Sequence, residues 1–105
     1  MKVRIKENSF LAKLAAFQMK ADKVAIVFGH TIHLYHTSKE EFLNDSDWTC
    51  HELKHVEQYQ QKGISGFLTR YIWDWVKNGY YNNKFEVEAR ASEKDTELMK
   101  KVQFI

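Results

Sequence analysis

The chain has 105 residues, of which 44% are hydrophobic and 29% are charged, with 16 Lys and Arg against 14 Asp and Glu. This length predicts a single domain (residues 1–105) with one core, and the apolar content excludes a disordered tail. No stretch approaches the roughly 18 consecutive apolar residues of a transmembrane helix, and no signal peptide is evident, so we expect a cytoplasmic protein without a membrane partner.

The net charge of +2 conceals an uneven distribution. Residues 1–24 carry six basic and two acidic side chains, whereas residues 40–60 carry six acidic side chains and only Lys54 as a base. No continuous basic stripe results, so we expect no nucleic-acid partner. The single cysteine, Cys50, excludes an intrachain disulfide. Stability is therefore expected to come from packing and from a metal.

Two elements are predicted in the first 20 residues. Residues 2–6 alternate polar and apolar side chains, which indicates a short half-buried strand. Asn8 or Ser9 can cap a following helix that continues to about Lys20. Apolar side chains recur along it at three- and four-residue spacing, which predicts an amphipathic helix. They are Phe10, Leu11, Leu14, Phe17 and Met19.

A β-hairpin is predicted next. Residues 24–28, VAIVF, are apolar on both faces and suit an interior strand, and alternation resumes over residues 31–35. Gly29 and His30 would form the turn, because glycine adopts a positive φ without strain. Residues 38–47 are predicted to be a polar linker.

Three helices are predicted in the second half of the chain. The first covers about residues 48–61, behind acidic and serine side chains that can cap it. The second covers about residues 67–77 and follows two glycines that interrupt the chain. Its aromatic side chains recur every four residues, as is typical of a packed core; they are Phe67, Tyr71 and Trp75. The last helix covers about residues 83–102.

The segment HELKH, residues 51–55, carries the clearest chemical signal. On a helix His51 and His55 lie one turn apart, so both imidazoles can reach one metal ion while Glu52 lies beside them. Two neutral imidazoles suit Zn²⁺, and an unligated Glu52 next to a metal-bound water can act as a general base for hydrolysis. The competing interpretation is a solvated, histidine-rich helix face.

A catalytic zinc site needs a third protein ligand. Cys50 points about 100° away from His51 and is expected to be a small buried side chain. The other histidines surround the predicted hairpin, where strand alternation separates His33 from His30 and His36. The better candidates are glutamates of the last predicted helix, and periodicity does not choose among them. They are Glu86, Glu88, Glu93 and Glu97.

HELKHVEQ followed by FEVEAR resembles the gluzincin metallopeptidases, in which an HExxH helix packs against a second helix that carries a glutamate in an E-x-x-A pattern. The resemblance covers about residues 24–95. VFGHTIHL and the aromatic segment of residues 66–81 are similar to a small single-domain branch of this superfamily. The resemblance implies a zincin-like fold in which His51, His55 and Glu86 bind Zn²⁺ and Glu52 is the catalytic base.

The resemblance also bears on the surroundings of the ligands. In zincins the strand before the active helix pairs with an extended substrate, which by resemblance is residues 31–35 here. Arg90 stands where larger relatives often carry an aspartate that orients a ligating histidine, and Gln58 could supply part of that role. Three tyrosines could stabilise an oxyanion, but a packed aromatic with its hydroxyl at the surface is the favoured interpretation of each, and none is assigned as catalytic. They are Tyr71, Tyr80 and Tyr81.

These patterns together predict an α+β, zincin-like peptidase domain that binds one Zn²⁺ per chain and acts on a peptide or an unfolded protein. It would contain a short antiparallel or mixed sheet, an active-site helix, an aromatic connector helix and a C-terminal glutamate helix. The alternative is a non-catalytic, zinc-stabilised binding module. A metallohydrolase acting on another bond comes third. Since 105 residues leave little chain for a second cleft wall, a homodimer partner or a larger protein could complete the site.

Overall fold

The computed structural model describes all 105 residues as an α+β fold with six helices and one small mixed sheet, which confirms the predicted α+β class. None of the helices is both long and apolar enough to cross a bilayer. In chain order the elements are β1 (Lys2–Lys6), α1 (Phe10–Met19), β2 (Val24–Phe28), β3 (Thr31–Tyr35), α2 (Lys39–Asn44), α3 (Ser46–Lys62), α4 (Ile64–Asn78), α5 (Lys84–Ala91), α6 (Glu97–Lys100) and β4 (Gln103–Phe104).

The sheet has the strand order β2-β3-β1-β4. Strands β2 and β3 form the predicted antiparallel hairpin, with Gly29 at a φ of +64° in its turn, and β1 runs parallel to both β3 and β4. Two expectations are wrong as a result. Strand β2 is an edge strand rather than an interior one. Strand β3 is paired on both sides, so its backbone groups are not free to bind an extended substrate.

The main core lies between one face of the sheet and the helices that follow it. Val3, Ile32 and Leu34 project from that face and are completely buried, as is Leu53 of α3. Phe42 of α2 is also completely buried in this core. Helix α3 therefore crosses the centre of the molecule, and its flank carries the HELKH segment toward the edge strand β2.

Helix α1 packs on the opposite face of the sheet through its small residues. Ala12 and Ala16 are buried against Val24. The large side chains of the predicted stripe face solvent instead: Phe10 is 72% exposed and Phe17 is 83% exposed. The small side chains of Ala12 and Ala16 let the helix axis approach the sheet closely. Phe10 and Phe17 lie on the opposite side of the helix and therefore face solvent.

Two further expectations about helices are wrong. Residues 38–47 contain helix α2, which begins with a capping box in which Ser38 and Glu41 satisfy each other's backbone N–H groups. The last predicted helix is broken, because α5 ends at Ala91 and a turn precedes α6 and β4. In that turn the Asp95 side chain accepts a hydrogen bond from the backbone N–H of Glu97, the first residue of α6.

Candidate metal centre

Helix α3 presents its two histidines from a well-anchored position. The Asp45 carboxylate accepts a hydrogen bond from the Trp48 N–H at the start of the helix, and Leu53 is fully buried on the core side. One turn apart on the neighbouring side, the rings of His51 and His55 lie 5.2 Å from each other, centroid to centroid. The helix therefore holds both imidazoles over the same point.

Glu86 reaches that point from helix α5, whose start is tied to α4 by one buried side chain. The Asn83 side chain accepts a hydrogen bond from the Phe85 N–H and donates one to the carbonyl of Tyr71. Asn83 is completely buried, and Phe85 packs edge-on against Phe67 of α4. These contacts set the direction in which the next residue, Glu86, enters the interior.

The three predicted ligands meet in one cluster. Glu86 Oε1 lies 3.1 Å from Nε2 of His51 and 3.1 Å from Nε2 of His55. One potential ligand atom of each residue lies within 4.8 Å of the other two, and all three side chains are largely buried. No other group of three histidine, cysteine, aspartate or glutamate side chains comes together in this way. The cluster can hold a metal ion.

Both imidazoles are oriented by hydrogen bonds at Nδ1, which leaves Nε2 facing the centre of the cluster. His51 Nδ1 lies 2.8 Å from Glu93 Oε2, and His55 Nδ1 lies 2.8 Å from Gln58 Oε1. The Gln58 amide is itself oriented, since its Nε2 donates to Glu88 Oε1 and to a backbone carbonyl. Such partners select the tautomer that a metal requires.

The second carboxylate oxygen of Glu86 also has a hydrogen-bond partner. The Tyr71 hydroxyl donates a hydrogen bond of 2.5 Å to Glu86 Oε2, which leaves Oε1 directed at the histidines. Burial would raise the pKa of Glu86, but hydrogen bonds from His51 and His55 hold that pKa well below its usual range. Glu86 is therefore an anion in the interior, as a carboxylate ligand must be.

Glu52 lies in a different environment from Glu86. Glu52 is largely buried, and it lines the cavity into which the cluster opens. Burial raises the pKa of Glu52 to about 7, although the neighbouring His55 and His51 oppose the shift. Burial lowers the pKa of His51, but its hydrogen bond to Glu86 and the charge of Glu52 raise it to about 9. Two carboxyl groups with separated pKa values typify acid–base sites.

The cluster opens into a cavity of about 410 Å³ between β2, α3 and α4. Most of its walls are apolar or aromatic, and His51, Glu52, His55 and Glu86 form its polar end. The edge strand β2 runs along one side, and its Val27 carbonyl accepts a hydrogen bond from the Tyr59 hydroxyl. Tyr80 also lines the cavity, and Met19 and Trp75 lie at its exposed rim. An apolar cavity with convergent polar groups is the usual form of a ligand site.

The other residues considered as metal ligands do not point into the cluster. Cys50 is fully buried and donates from Sγ to a backbone carbonyl, as expected of a small core side chain. His30, His33 and His36 have separate hydrogen-bond partners around the hairpin. Glu97 is exposed and paired with Lys100. Periodicity did not reveal the supporting roles of Glu93 and Tyr71, because each depends on how two helices pack.

Comparison of the chain with protein-family models, with curated proteins and with solved structures found no match in any of the three.

Proposed function

We propose that this protein is a zinc-dependent hydrolase of zincin-like construction, and more specifically a peptidase. The observation that carries the proposal is the convergence of His51, His55 and Glu86 at the polar end of an apolar cavity, with Glu52 buried beside them. Two imidazoles and one carboxylate form a ligand set typical of catalytic zinc, which keeps a position open for water or substrate.

Zinc is favoured over other cations by the chemistry of these ligands. Ca²⁺ and Mg²⁺ prefer sets made of oxygen atoms, whereas two of the three atoms here are imidazole nitrogens. The hydrogen bonds at both Nδ1 atoms also match the support that zinc-bound histidines usually have. One ion per chain is expected.

The proposed reaction needs a Lewis acid, a general base and a group that stabilises the oxyanion. Zinc, when bound, supplies a Lewis acid that polarises a carbonyl group and lowers the pKa of water. Glu52 accepts the proton of the attacking water and returns it to the leaving amine, because it is the carboxylate that lines the cavity beside the three ligands without belonging to the ligand set. Tyr71 and Tyr80 both line the cavity, and we assign Tyr80 to the developing oxyanion because it is half exposed, whereas the Tyr71 hydroxyl already donates a 2.5 Å hydrogen bond to Glu86.

An extended peptide fits the shape of the site. Strand β2 lines the cavity and has no strand partner on its outer side, so a peptide can add to the sheet there at the backbone groups other than the Val27 carbonyl, which accepts from the Tyr59 hydroxyl. A large apolar side chain next to the scissile bond would enter the cavity between Tyr59, Phe67 and Leu68. We therefore propose unfolded segments or peptides with apolar residues as the substrate class.

The test compares zinc content and peptide cleavage in the wild-type protein and in Glu52→Gln. The variant should retain zinc and lose cleavage, because glutamine has the size of glutamate but cannot accept the proton. Glu57→Gln is the matched control, since Glu57 lies on the same helix and pairs with Lys54. A wild-type protein without zinc would refute the metal centre. A zinc-loaded protein that cleaves no member of a broad peptide library would instead support the binding module.

A further inference from the structure

One face of the molecule, remote from the main core, combines exposed apolar side chains with unpaired positive charge. Phe10, Leu14 and Phe17 project from the side of α1 that faces away from the sheet, and we call them the outer face of α1. Their positions fall within about 60° of arc around the helix. They are 72%, 50% and 83% exposed, whereas Ala12 and Ala16 beneath them are buried.

A row of basic residues lies on the same face of the sheet. Val3 and Ile5 of β1 point into the main core, so the alternating residues Lys2, Arg4 and Lys6 point to the other face. We call these three the basic row. The register supports the placement, because Lys6 pairs with His33, whose ring bonds to Ser9 at the start of α1.

The positive charge of this face is not neutralised within the chain. No residue of the basic row forms an ion pair. Lys13 of α1 and Lys20, which follows the last residue of α1, form none either. Helix α1 contains no acidic residue. The nearest acids in sequence have other partners: Glu7 accepts from the Lys39 backbone N–H, and Asp22 bonds to His36.

We propose that this face is a docking surface for an anionic lipid membrane. A helix that carries large apolar side chains outward, with lysines along one side of them, can lie in the interface, with its apolar face among the acyl chains and its lysines at the headgroups. The basic row would add attraction to anionic headgroups. The expectation of no membrane partner rested on the lack of a spanning segment, and peripheral binding does not need one.

A second copy of the chain fits this face less well. Three large side chains expose at most about 600 Å² between them, which is below the ~800 Å² per partner of a stable interface. A two-fold contact through α1 would also bring Lys13 and Lys20 of both copies together, and like charges repel. Nucleic acid would satisfy the basic row but would leave the phenylalanines in water. An anionic membrane surface is the partner that would contact both the apolar outer face of α1 and the basic row.

The experiment is cosedimentation of the full chain with vesicles of phosphatidylcholine alone or of equal parts phosphatidylcholine and phosphatidylglycerol. We expect binding to the anionic vesicles, weaker binding at high salt, and little binding to phosphatidylcholine. The double substitution Phe10→Gln with Phe17→Gln should weaken binding by at least about tenfold. Trp73→Gln is the matched control, because Trp73 is 66% exposed on α4 and should not affect binding.

A second variant tests the face without altering the helix. Lys2→Gln with Lys6→Gln should weaken binding to anionic vesicles by about 25-fold, at about fivefold per lysine. It keeps the proposal testable if the phenylalanine substitutions lower the unfolding temperature. Absence of binding to anionic vesicles would overturn the proposal, as would unchanged binding by both double variants. A dimer in solution that the Phe10→Gln/Phe17→Gln variant abolishes would assign the face to a second copy instead.

Discussion

At the scale of single residues, Glu86 decides whether the cluster binds zinc. Its carboxylate supplies the only negative charge directed at both Nε2 atoms. Glu86→Gln should therefore weaken zinc affinity by more than about a hundredfold, a larger loss than is usual for a partner outside the ligand set. Competition with a chromophoric chelator measures this. Glu97→Gln is the matched control and should bind zinc like the wild type, since Glu97 is exposed and paired with Lys100.

Glu93 should have a smaller effect on the same measurement. It bonds to His51 Nδ1 and does not face the centre, so it orients a ligand and increases its basicity. We expect Glu93→Gln to weaken zinc affinity by about tenfold. A larger loss in Glu93→Gln than in Glu86→Gln would show that Glu93 is the third ligand and Glu86 its support.

Sequence spacing was sufficient to predict some residues of the cluster but not others. The separation of His51 and His55 is a local property of a helix, so the sequence was sufficient to place the two rings together. The choice of Glu86 came only from the resemblance to gluzincins, because it depends on how α5 packs against α3. The hydrogen bond from Tyr71 joins residues 15 positions apart on different helices, and no periodicity reports it.

At the scale of elements, Ser9 joins α1 to the sheet. Its hydroxyl oxygen accepts from the Ala12 N–H at the start of the helix, and the hydroxyl donates to Nδ1 of neutral His33 on β3. Ser9 is buried, so its loss would leave both partners without a bond. Ser9→Ala should lower the free energy of unfolding by about 1–2 kcal/mol, measured by urea denaturation. Ser65→Ala, in an exposed part of α4, should change it little.

The same contact should make stability depend on pH. Partial burial, with the charge of Lys6, lowers the pKa of His33 below its ordinary value of 6.5. The unfolded chain therefore takes up this proton more readily, so the contribution of His33 is present above about pH 6.5 and is lost as the pH falls through its folded-state value. The difference in unfolding free energy between wild type and His33→Gln should shrink from about pH 8 to about pH 5. A constant difference would exclude His33 as the cause.

The two helix predictions that were wrong differ in one respect. The sequence contains a local capping pattern at the start of α2, but no comparable pattern marks the end of α5. Ser38 and Glu41 stand in the spacing of a capping box, so α2 could have been predicted from its first four residues. The break after α5 is harder to predict, because residues 83–102 keep apolar residues at helical spacing. Tertiary packing decides there: Leu98 is buried in the main core, and β4 pairs with β1.

At the scale of the whole molecule, the cluster of His51, His55 and Glu86 lies between two helices that the main core also packs together. Helices α3 and α5 meet at the cluster, but Phe85 and Leu53 already place both helices in a core of 12 buried residues. The cluster's side chains also bond to one another without an ion. This arrangement differs from a zinc-stabilised module, in which ligands and metal replace a core.

Removal of zinc should accordingly lower the melting temperature without unfolding the chain. With free zinc at about a hundred times its dissociation constant, binding adds about 2.7 kcal/mol, which in a domain of this size corresponds to a shift of roughly 10–20 °C. We expect a chelator to produce this shift in wild type, with one cooperative transition before and after, as followed by circular dichroism. In Glu86→Gln the chelator should have almost no effect, because little zinc is bound. If the metal-free wild type instead lost its helical signal and its cooperative transition at room temperature, zinc would be a structural element, and the binding module would replace the peptidase as the better account of this fold.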